Sequence, residues 1–179
     1  MLTVLLGGAR SGKSALAIDI AQSAAAGAAV TYLATSPEIP DDADLADRIA
    51  IHRAERPPSW TTVEEQLDIT DALARIDTDV VVVDCLTTWA GNMLHYGRDE
   101  ATVLADSDAA IAVIRARRLQ AIVVSNEVGL GIVPVNDLAR AYRDVLGRVN
   151  QRWVAASDRA MFMVAGRAVA LNDPWELMR

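Results

Sequence analysis

Hydrophobic positions in this chain alternate between short continuous runs and longer stretches with helical spacing. Runs typical of strands buried on both faces occur at 2–6, 28–34, 79–84 and 119–125. Proline-free stretches with apolar residues at helical spacing lie between and after them, at 14–26, 65–75, 99–118 and 136–157. Strands that alternate with helices predict an α/β fold of three layers around a mostly parallel sheet.

The remaining segments extend this picture at the edges. A β-prone piece at 59–64 predicts a short strand, and 159–165 with 168–171 predict a terminal strand pair around Gly166 and Arg167. An acidic stretch passes into a predicted helix that ends before Pro57, because proline disfavours helix in the residue before it. A length of 179 residues predicts a single domain over 1–179 with its own core.

The segment 7–14 reads GGARSGKS and fits the phosphate-binding pattern G-x-x-x-x-G-K-[ST] at every required position. It follows a predicted strand and opens a predicted helix, which is the context this pattern requires. Glycines let backbone amides wrap a phosphate chain, and a helix N-terminus adds partial positive charge. We therefore expect a nucleotide to bind this segment, called the phosphate loop below: Gly7, Gly8, Ala9, Arg10, Ser11, Gly12, Lys13 and Ser14.

Three polar side chains predict how the phosphates and a metal ion would be held. Lys13, the only lysine in the chain, would reach the outer phosphates. Ser14 would offer its hydroxyl to a Mg²⁺ ion that also binds phosphate oxygens. Asp84 closes a run of four valines, the position at which P-loop enzymes place a second magnesium ligand. The alternative for Asp84 is a strand-end residue that caps the following turn.

Two further loops are expected at the same edge of the sheet, because ligands of open parallel sheets bind at the carboxyl ends of the strands. Thr35 and Ser36 follow the second predicted strand, and a glycine-containing loop at 126–134 follows the strand at 119–125. Such loops tend to carry function. They add candidate contacts for the nucleotide or for its acceptor.

Composition limits the partners. A net charge of −7 and a pI near 4.8 argue against a general nucleic-acid binder. The single cysteine, Cys85, excludes an internal disulfide, and only two histidines argue against a Cys/His zinc site. No stretch reaches the roughly 18 apolar residues of a membrane span, and the first apolar run lacks a basic leader. These features predict a cytoplasmic protein without a membrane span.

One histidine lies in a positively charged context. Arg48 and His52, with Glu55 or Arg56, lie three to four residues apart, so a helix would present them along one side, with Arg53 beside them. This charge suits a phosphate or an acidic substrate group and favours a neutral imidazole. An imidazole can act as a nucleophile that takes a nucleotidyl group and passes it on. An ordinary surface histidine is the alternative.

Seven segments in order, spanning nearly the whole chain, resemble the bifunctional adenosylcobinamide kinase/adenosylcobinamide-phosphate guanylyltransferase family of cobalamin biosynthesis. They are GGARSGKS at 7–14, YLATS at 32–36, R-x-x-x-H-R-x-x-R-P at 48–57, W-x-T-x-E at 60–64, VVVVDCLTTW at 80–89, SNEVGLGIVP at 125–134 and the run RD…GRVNQ at 143–151. The fold class expected is accordingly the RecA-like form of the three-layer P-loop NTPase fold.

The resemblance implies two reactions. ATP or GTP would phosphorylate the aminopropanol hydroxyl of adenosylcobinamide, and GTP would then give GMP to adenosylcobinamide phosphate with release of pyrophosphate. It implies that His52 carries the GMP and that the protein is a homotrimer. It also implies nucleotide contacts by the phosphate loop and by Ala34, Thr35, Ser36, Arg53, Ala54, Glu55, Arg56, Glu64 and Asp84.

Other interpretations of the same residues stay open. One is a P-loop kinase of small molecules without the guanylyl step, and another is a nucleotide-binding regulatory subunit without catalysis. Glu127 or Asp84 would help to deprotonate the cobinamide hydroxyl, although Glu127 would serve equally as a hydrogen-bond acceptor that braces its loop. Ile51 precedes His52 where related sequences often have a second histidine, so no neighbour would replace His52.

Overall fold

A computed structural model describes residues 1–36, 53–54 and 56–178, and these contain seven strands and five helices. The strands are β1 (Leu2–Gly7), β2 (Val30–Ala34), β3 (Thr61–Glu64), β4 (Val80–Asp84), β5 (Gln120–Val124), β6 (Arg159–Val164) and β7 (Arg167–Ala170). The helices are α1 (Lys13–Ala25), α2 (Ile69–Arg75), α3 (Leu86–His95), α4 (Glu100–Ala116) and α5 (Asp137–Ala156).

The strands form one sheet in the order β3-β2-β4-β5-β1-β6-β7. Neighbouring strands are parallel except for the final hairpin of β6 and β7. The predicted α/β class with a mostly parallel sheet is therefore confirmed. One strand, β5, separates β1, which leads into the phosphate loop, from β4, which ends at Asp84. Their carboxyl ends share one edge, where open sheets of this kind bind ligands.

Two apolar cores lie on the two faces of the sheet. Val81 and Val83 pack on one face, in the core that contains α3, α4 and α5, whereas Val80 and Val82 pack on the other face with α1. Successive side chains of a strand point to opposite faces, so a strand between two helical layers needs apolar residues at every position. The valine run meets that requirement and accounts for the three layers.

Some elements begin at a different residue than predicted, because a turn or a helix cap sets their first residue. Strand β2 begins at Val30 rather than 28, because Gly27, with φ of 94°, belongs to the turn after α1. Helix α2 begins at Ile69 rather than 65, because the Asp68 carboxylate caps it by accepting from the Asp71 amide at 2.9 Å. The segment at 86–95, for which the sequence predicted no element, forms α3.

The predicted helix that ends before Pro57 lies mostly outside the described residues. The predicted hairpin is present, and it is tied to the phosphate loop: the amide of Gly166 donates to the carbonyl oxygen of Ser11 at 3.1 Å.

Within the described part of the chain, no helix is both long enough and apolar enough to cross a membrane.

Candidate nucleotide site

The phosphate loop connects β1 to α1 and presents the N-terminus of that helix to the sheet edge. Gly12 caps the helix in a left-handed conformation, with φ of 93° and no side-chain cap bond. The first turn of α1 contains no acidic residue. The partial positive charge of the helix end is thus not neutralised by a carboxylate of its own first turn, which leaves it available to a phosphate.

Lys13 is buried within this loop, with only 6% of its surface exposed. Its Nζ donates to the carbonyl oxygen of Gly8 at 2.6 Å and to Ser11 Oγ at 3.2 Å. Burial lowers the pKa of Lys13, and the nearby Cys85 and Asp84 oppose this by raising it. Both hydrogen-bond acceptors are neutral, so the nucleotide phosphates would supply the negative charge that a buried ammonium needs.

Gly7 is required by the close approach of β6. A Cβ atom placed there would lie 2.4 Å from the backbone oxygen of Met163, and φ at Gly7 is +150°. We expect Gly7→Ala to lower the free energy of unfolding by about 1–3 kcal/mol, because a backbone carbonyl in a strand cannot move aside. Chemical denaturation of the nucleotide-free protein measures the change.

Gly8→Ala is the matched control, since a Cβ atom at Gly8 would meet nothing within 4 Å. We expect its free energy of unfolding to stay within about 0.5 kcal/mol of the unchanged protein. Equal destabilisation by the two substitutions would contradict the assigned contact with β6.

Asp84 lies half-buried at the end of β4, and its Oδ2 accepts a hydrogen bond from the Tyr32 hydroxyl. Ser14 lies half-buried in the first turn of α1. Hydroxyl and carboxylate oxygens are the hard ligands that Mg²⁺ takes together with phosphate oxygens, so this donor set fits the predicted ion. Within the described residues, no group of three or more His, Cys, Asp or Glu side chains could hold a metal.

Ala34 and Glu64, two of the residues to which the resemblance assigns nucleotide contacts, lie level with Asp84 across three neighbouring strands. Ala34 is in register with Glu64 of β3 on one side and with Asp84 of β4 on the other. Glu64 forms an ion pair with Arg53. Arg56 lies above the ring of Tyr32, with its guanidinium carbon 3.6 Å from the ring centroid. The structure thus brings these side chains to the carboxyl edge of β2, β3 and β4.

The other residues to which the resemblance assigns nucleotide contacts differ in how far they are exposed. Ser36 is half-buried and Ala54 is exposed, whereas Thr35 is fully buried. The Thr35 hydroxyl donates to the carbonyl oxygen of Cys85 at 2.7 Å and accepts from the Cys85 amide at 2.9 Å. Thr35 therefore joins the ends of β2 and β4, and its nucleotide contact stays a prediction. His52 and Glu55 lie outside the described residues.

A buried polar network at the end of β5 was missed by sequence reasoning. Ser125 is fully buried and donates to Asn150 Oδ1 at 2.7 Å, and Asn150 Nδ2 donates to the Asn126 carbonyl at 3.0 Å. The Asn126 amide donates to Thr87 Oγ1 at 2.6 Å. The network fixes the backbone at the start of the 126–134 loop. Its only sequence signal is an asparagine on the apolar side of a helix.

Glu127 continues this loop beside the phosphate loop. Its amide donates to the Gly7 carbonyl at 3.2 Å, and its Oε1 accepts from the Gly129 amide at 2.6 Å. The second contact corresponds to the loop-bracing alternative for this carboxylate. Glu127 still lies at the correct edge of the sheet to approach an acceptor.

Comparison with solved structures agrees with the architecture. The flagellar accessory protein FlaH from Methanocaldococcus jannaschii superposes with a TM-score of 0.50 over 96% of this chain and 77% of that chain. Sequence identity is 14%, so the likeness concerns the fold alone.

Sequence comparisons identify the family. The model of the family described as cobinamide kinase/cobinamide phosphate guanyltransferase matches residues 3–171. The chain is 39% identical to the bifunctional adenosylcobalamin biosynthesis protein CobP of Pseudomonas aeruginosa, over 96% of this chain and 98% of that protein. It is 38% identical to CobU of Escherichia coli, over 96% and 100%. The resemblance seen in the sequence is confirmed, and the chain belongs to the cobinamide kinase/cobinamide phosphate guanyltransferase family.

Proposed function

We propose that this protein phosphorylates the aminopropanol hydroxyl of adenosylcobinamide with ATP or GTP. It then transfers GMP from GTP to adenosylcobinamide phosphate, which gives adenosylcobinamide-GDP and pyrophosphate. The observation that carries this proposal is the family match over residues 3–171, since the family description names both activities. The charged groups at the carboxyl edge of the sheet agree with it.

Phosphoryl transfer asks a protein mainly for positioning and for stabilisation of negative charge. Lys13 and the N-terminus of α1 supply fixed positive charge where the phosphates would bind. Ser14 and Asp84 would hold Mg²⁺, which when bound would neutralise charge on the transferred group. The proton of the cobinamide hydroxyl would pass to Asp84 or Glu127.

The guanylyl step needs a nucleophile for the α-phosphorus, and His52 is the residue we assign to it. A bond would form between an imidazole nitrogen and the α-phosphorus while the bond to pyrophosphate breaks. A phosphate oxygen of adenosylcobinamide phosphate would then displace the imidazole. Arg53 and Arg56 follow His52 in the chain and lie near β2 and β3, where their charge supports an anionic transition state.

Supplying each acceptor separately tests the proposal. The purified protein is incubated with Mg²⁺, ATP and adenosylcobinamide, and in a second reaction with Mg²⁺, GTP and adenosylcobinamide phosphate. Mass spectrometry should detect the phosphate in the first reaction and adenosylcobinamide-GDP in the second. Product in the first reaction alone would favour the kinase without a guanylyl step. Nucleotide binding without product in either would favour the regulatory subunit.

We also infer that the protein acts in the cytoplasm, as the sequence composition predicts, and from the family resemblance that it is a homotrimer. Light scattering of the purified protein is expected to give about three times the chain mass of 19.2 kDa. A mass equal to a single chain would contradict the trimer.

A further inference from the structure

A buried tyrosine contacts the carboxylate that is predicted to bind the metal. Tyr32 lies on β2 with 2% of its surface exposed, and its hydroxyl donates to Asp84 Oδ2 on the neighbouring strand. Tyr32 is in register with Val82, two residues before Asp84, so the phenol reaches diagonally along one face of the sheet. Among the described residues, no other side chain bonds to this carboxylate in the structure.

The outer face of the same ring is covered by a cation. The guanidinium carbon of Arg56 lies 3.6 Å from the Tyr32 ring centroid, and Nη1 donates to Thr62 Oγ1 at 3.3 Å. Among the residues that the structure describes, the buried Nε of Arg56 has no hydrogen-bond partner. Stacking on Tyr32 is therefore a principal contact of this guanidinium. Arg56 is only four positions after His52 in the chain.

We propose that Tyr32 is a positioning residue for the metal-binding carboxylate. Its hydroxyl orients Asp84, and Arg56 holds the ring from the other side. The Tyr32 phenol thus connects two parts of the proposed site. On one side is the segment that follows His52, the residue assigned to carry GMP, and on the other is the predicted magnesium ligand Asp84. This inference rests on the proposed function, in which a metal-bound nucleotide occupies the site, and the sequence motifs assign no role to Tyr32.

The chemistry of the contact suits that role. A tyrosine hydroxyl is a proton donor at neutral pH, since its ordinary pKa is about 10, and a carboxylate oxygen can only accept. A donor on Oδ2 leaves Oδ1 of the same carboxylate to accept a metal ion. Hydrogen bonds to metal ligands of this kind fix their orientation, and their loss typically weakens metal affinity about 10- to 100-fold.

Tyr32→Phe removes the hydroxyl and keeps the ring under Arg56. Mn²⁺ is used as the probe, and electron paramagnetic resonance measures free Mn²⁺ in the presence of protein and saturating GDP. We expect the affinity for Mn²⁺ to fall about 10-fold, while GDP binding without metal stays unchanged. The Mg²⁺ concentration for half-maximal kinase activity should rise, and kcat at saturating Mg²⁺ should recover. Tyr96→Phe is the matched control, because Tyr96 is 60% exposed, and it should leave these values unchanged.

Arg56→Leu tests the second half of the proposal, and it replaces a side chain that is not fully buried. By itself it should weaken Mn²⁺ binding. Each variant is measured with its own saturating GDP concentration, so that a lost nucleotide contact of Arg56 does not enter the comparison. Added to Tyr32→Phe, Arg56→Leu should then weaken Mn²⁺ binding no further, because the proposal lets Arg56 act on the metal ligand through the hydroxyl that is already missing. Additive effects of the two substitutions would overturn the assigned connection.

A purely structural role for Tyr32 predicts a different pattern. The Phe variant would then lose thermal stability, and its Mn²⁺ affinity would stay within twofold of the unchanged protein, which would overturn the proposal. An unchanged protein that binds no Mn²⁺ with GDP would overturn it as well. The Mn²⁺ and GDP binding measurements contain no corrinoid, so they distinguish failure of this inference from failure of the cobinamide reactions.

Discussion

Replacement of Lys13 by methionine is expected to lower kcat/KM for cobinamide phosphorylation about 10³-fold, at the upper end of the loss seen when one preorganised charge donor is removed. The ammonium lies inside the phosphate loop with fixed partners, so it would stabilise negative charge on bound phosphates without reorganisation. Initial rates with ATP and adenosylcobinamide measure the loss. Residual activity within tenfold of the unchanged protein would contradict the role.

The same substitution should not weaken the folded state without nucleotide. Burial lowers the pKa of Lys13, which means that folding takes a charge out of water at a cost. Methionine removes that cost, so thermal denaturation should show equal or greater stability. The advantage of the variant should shrink as the pH rises toward 10.5, the usual value for lysine, because the unchanged protein then releases the buried proton. Arg98→Met, which removes an exposed cation, serves as the control.

Replacement of His52 by alanine is expected to abolish guanylyl transfer, with a loss of about 10⁴-fold or more, and to leave phosphorylation by ATP within about threefold. The nucleophile is needed only where a bond to the α-phosphorus forms. Because Ile51 precedes it, no adjacent histidine can take over the reaction. Separate assays of the two half-reactions measure this division.

GTP labelled at the α-phosphate gives a direct readout of the intermediate. The unchanged protein should become labelled in an acid-labile, base-stable linkage, and His52→Ala should not. His95→Ala is the control, because His95 is the other histidine and lies exposed at the end of α3, and it should be labelled normally. Adenosylcobinamide-GDP formed without any labelled protein would indicate direct transfer and contradict the histidine intermediate.

Elements with a strong local pattern could be predicted from the sequence. The valine run of β4 and the apolar spacing of α4 and α5 identify their types without knowledge of their neighbours. Helix α3 was missed because its polar residues have distant partners. Asn92 donates to the carbonyl of Thr35, and Thr87 accepts from the amide of Asn126. Strand order likewise follows from packing of the whole chain.

The residues of the candidate site likewise divide into those that can be predicted from the sequence and those that only the structure identifies. The phosphate loop and Asp84 are visible in the sequence because each consists of a short motif next to a strand. Tyr32 is not, since a tyrosine in a strand looks like any core residue, and its partner Asp84 is 52 positions away. Thr35 is a polar residue at the correct edge of the sheet. Only the structure shows that its hydroxyl both donates to the carbonyl and accepts from the amide of Cys85.

The position of β1 has a consequence for synthesis on the ribosome. β1 lies between β5 and β6, and the amide of Gly166 donates to the phosphate loop. The first strand to be translated therefore gains its neighbours only when some of the last strands have been translated. A nascent chain that lacks β6 leaves one side of β1 unpaired and Gly7 without its close neighbour. The phosphate loop can therefore reach its full set of contacts only after the final hairpin has been translated.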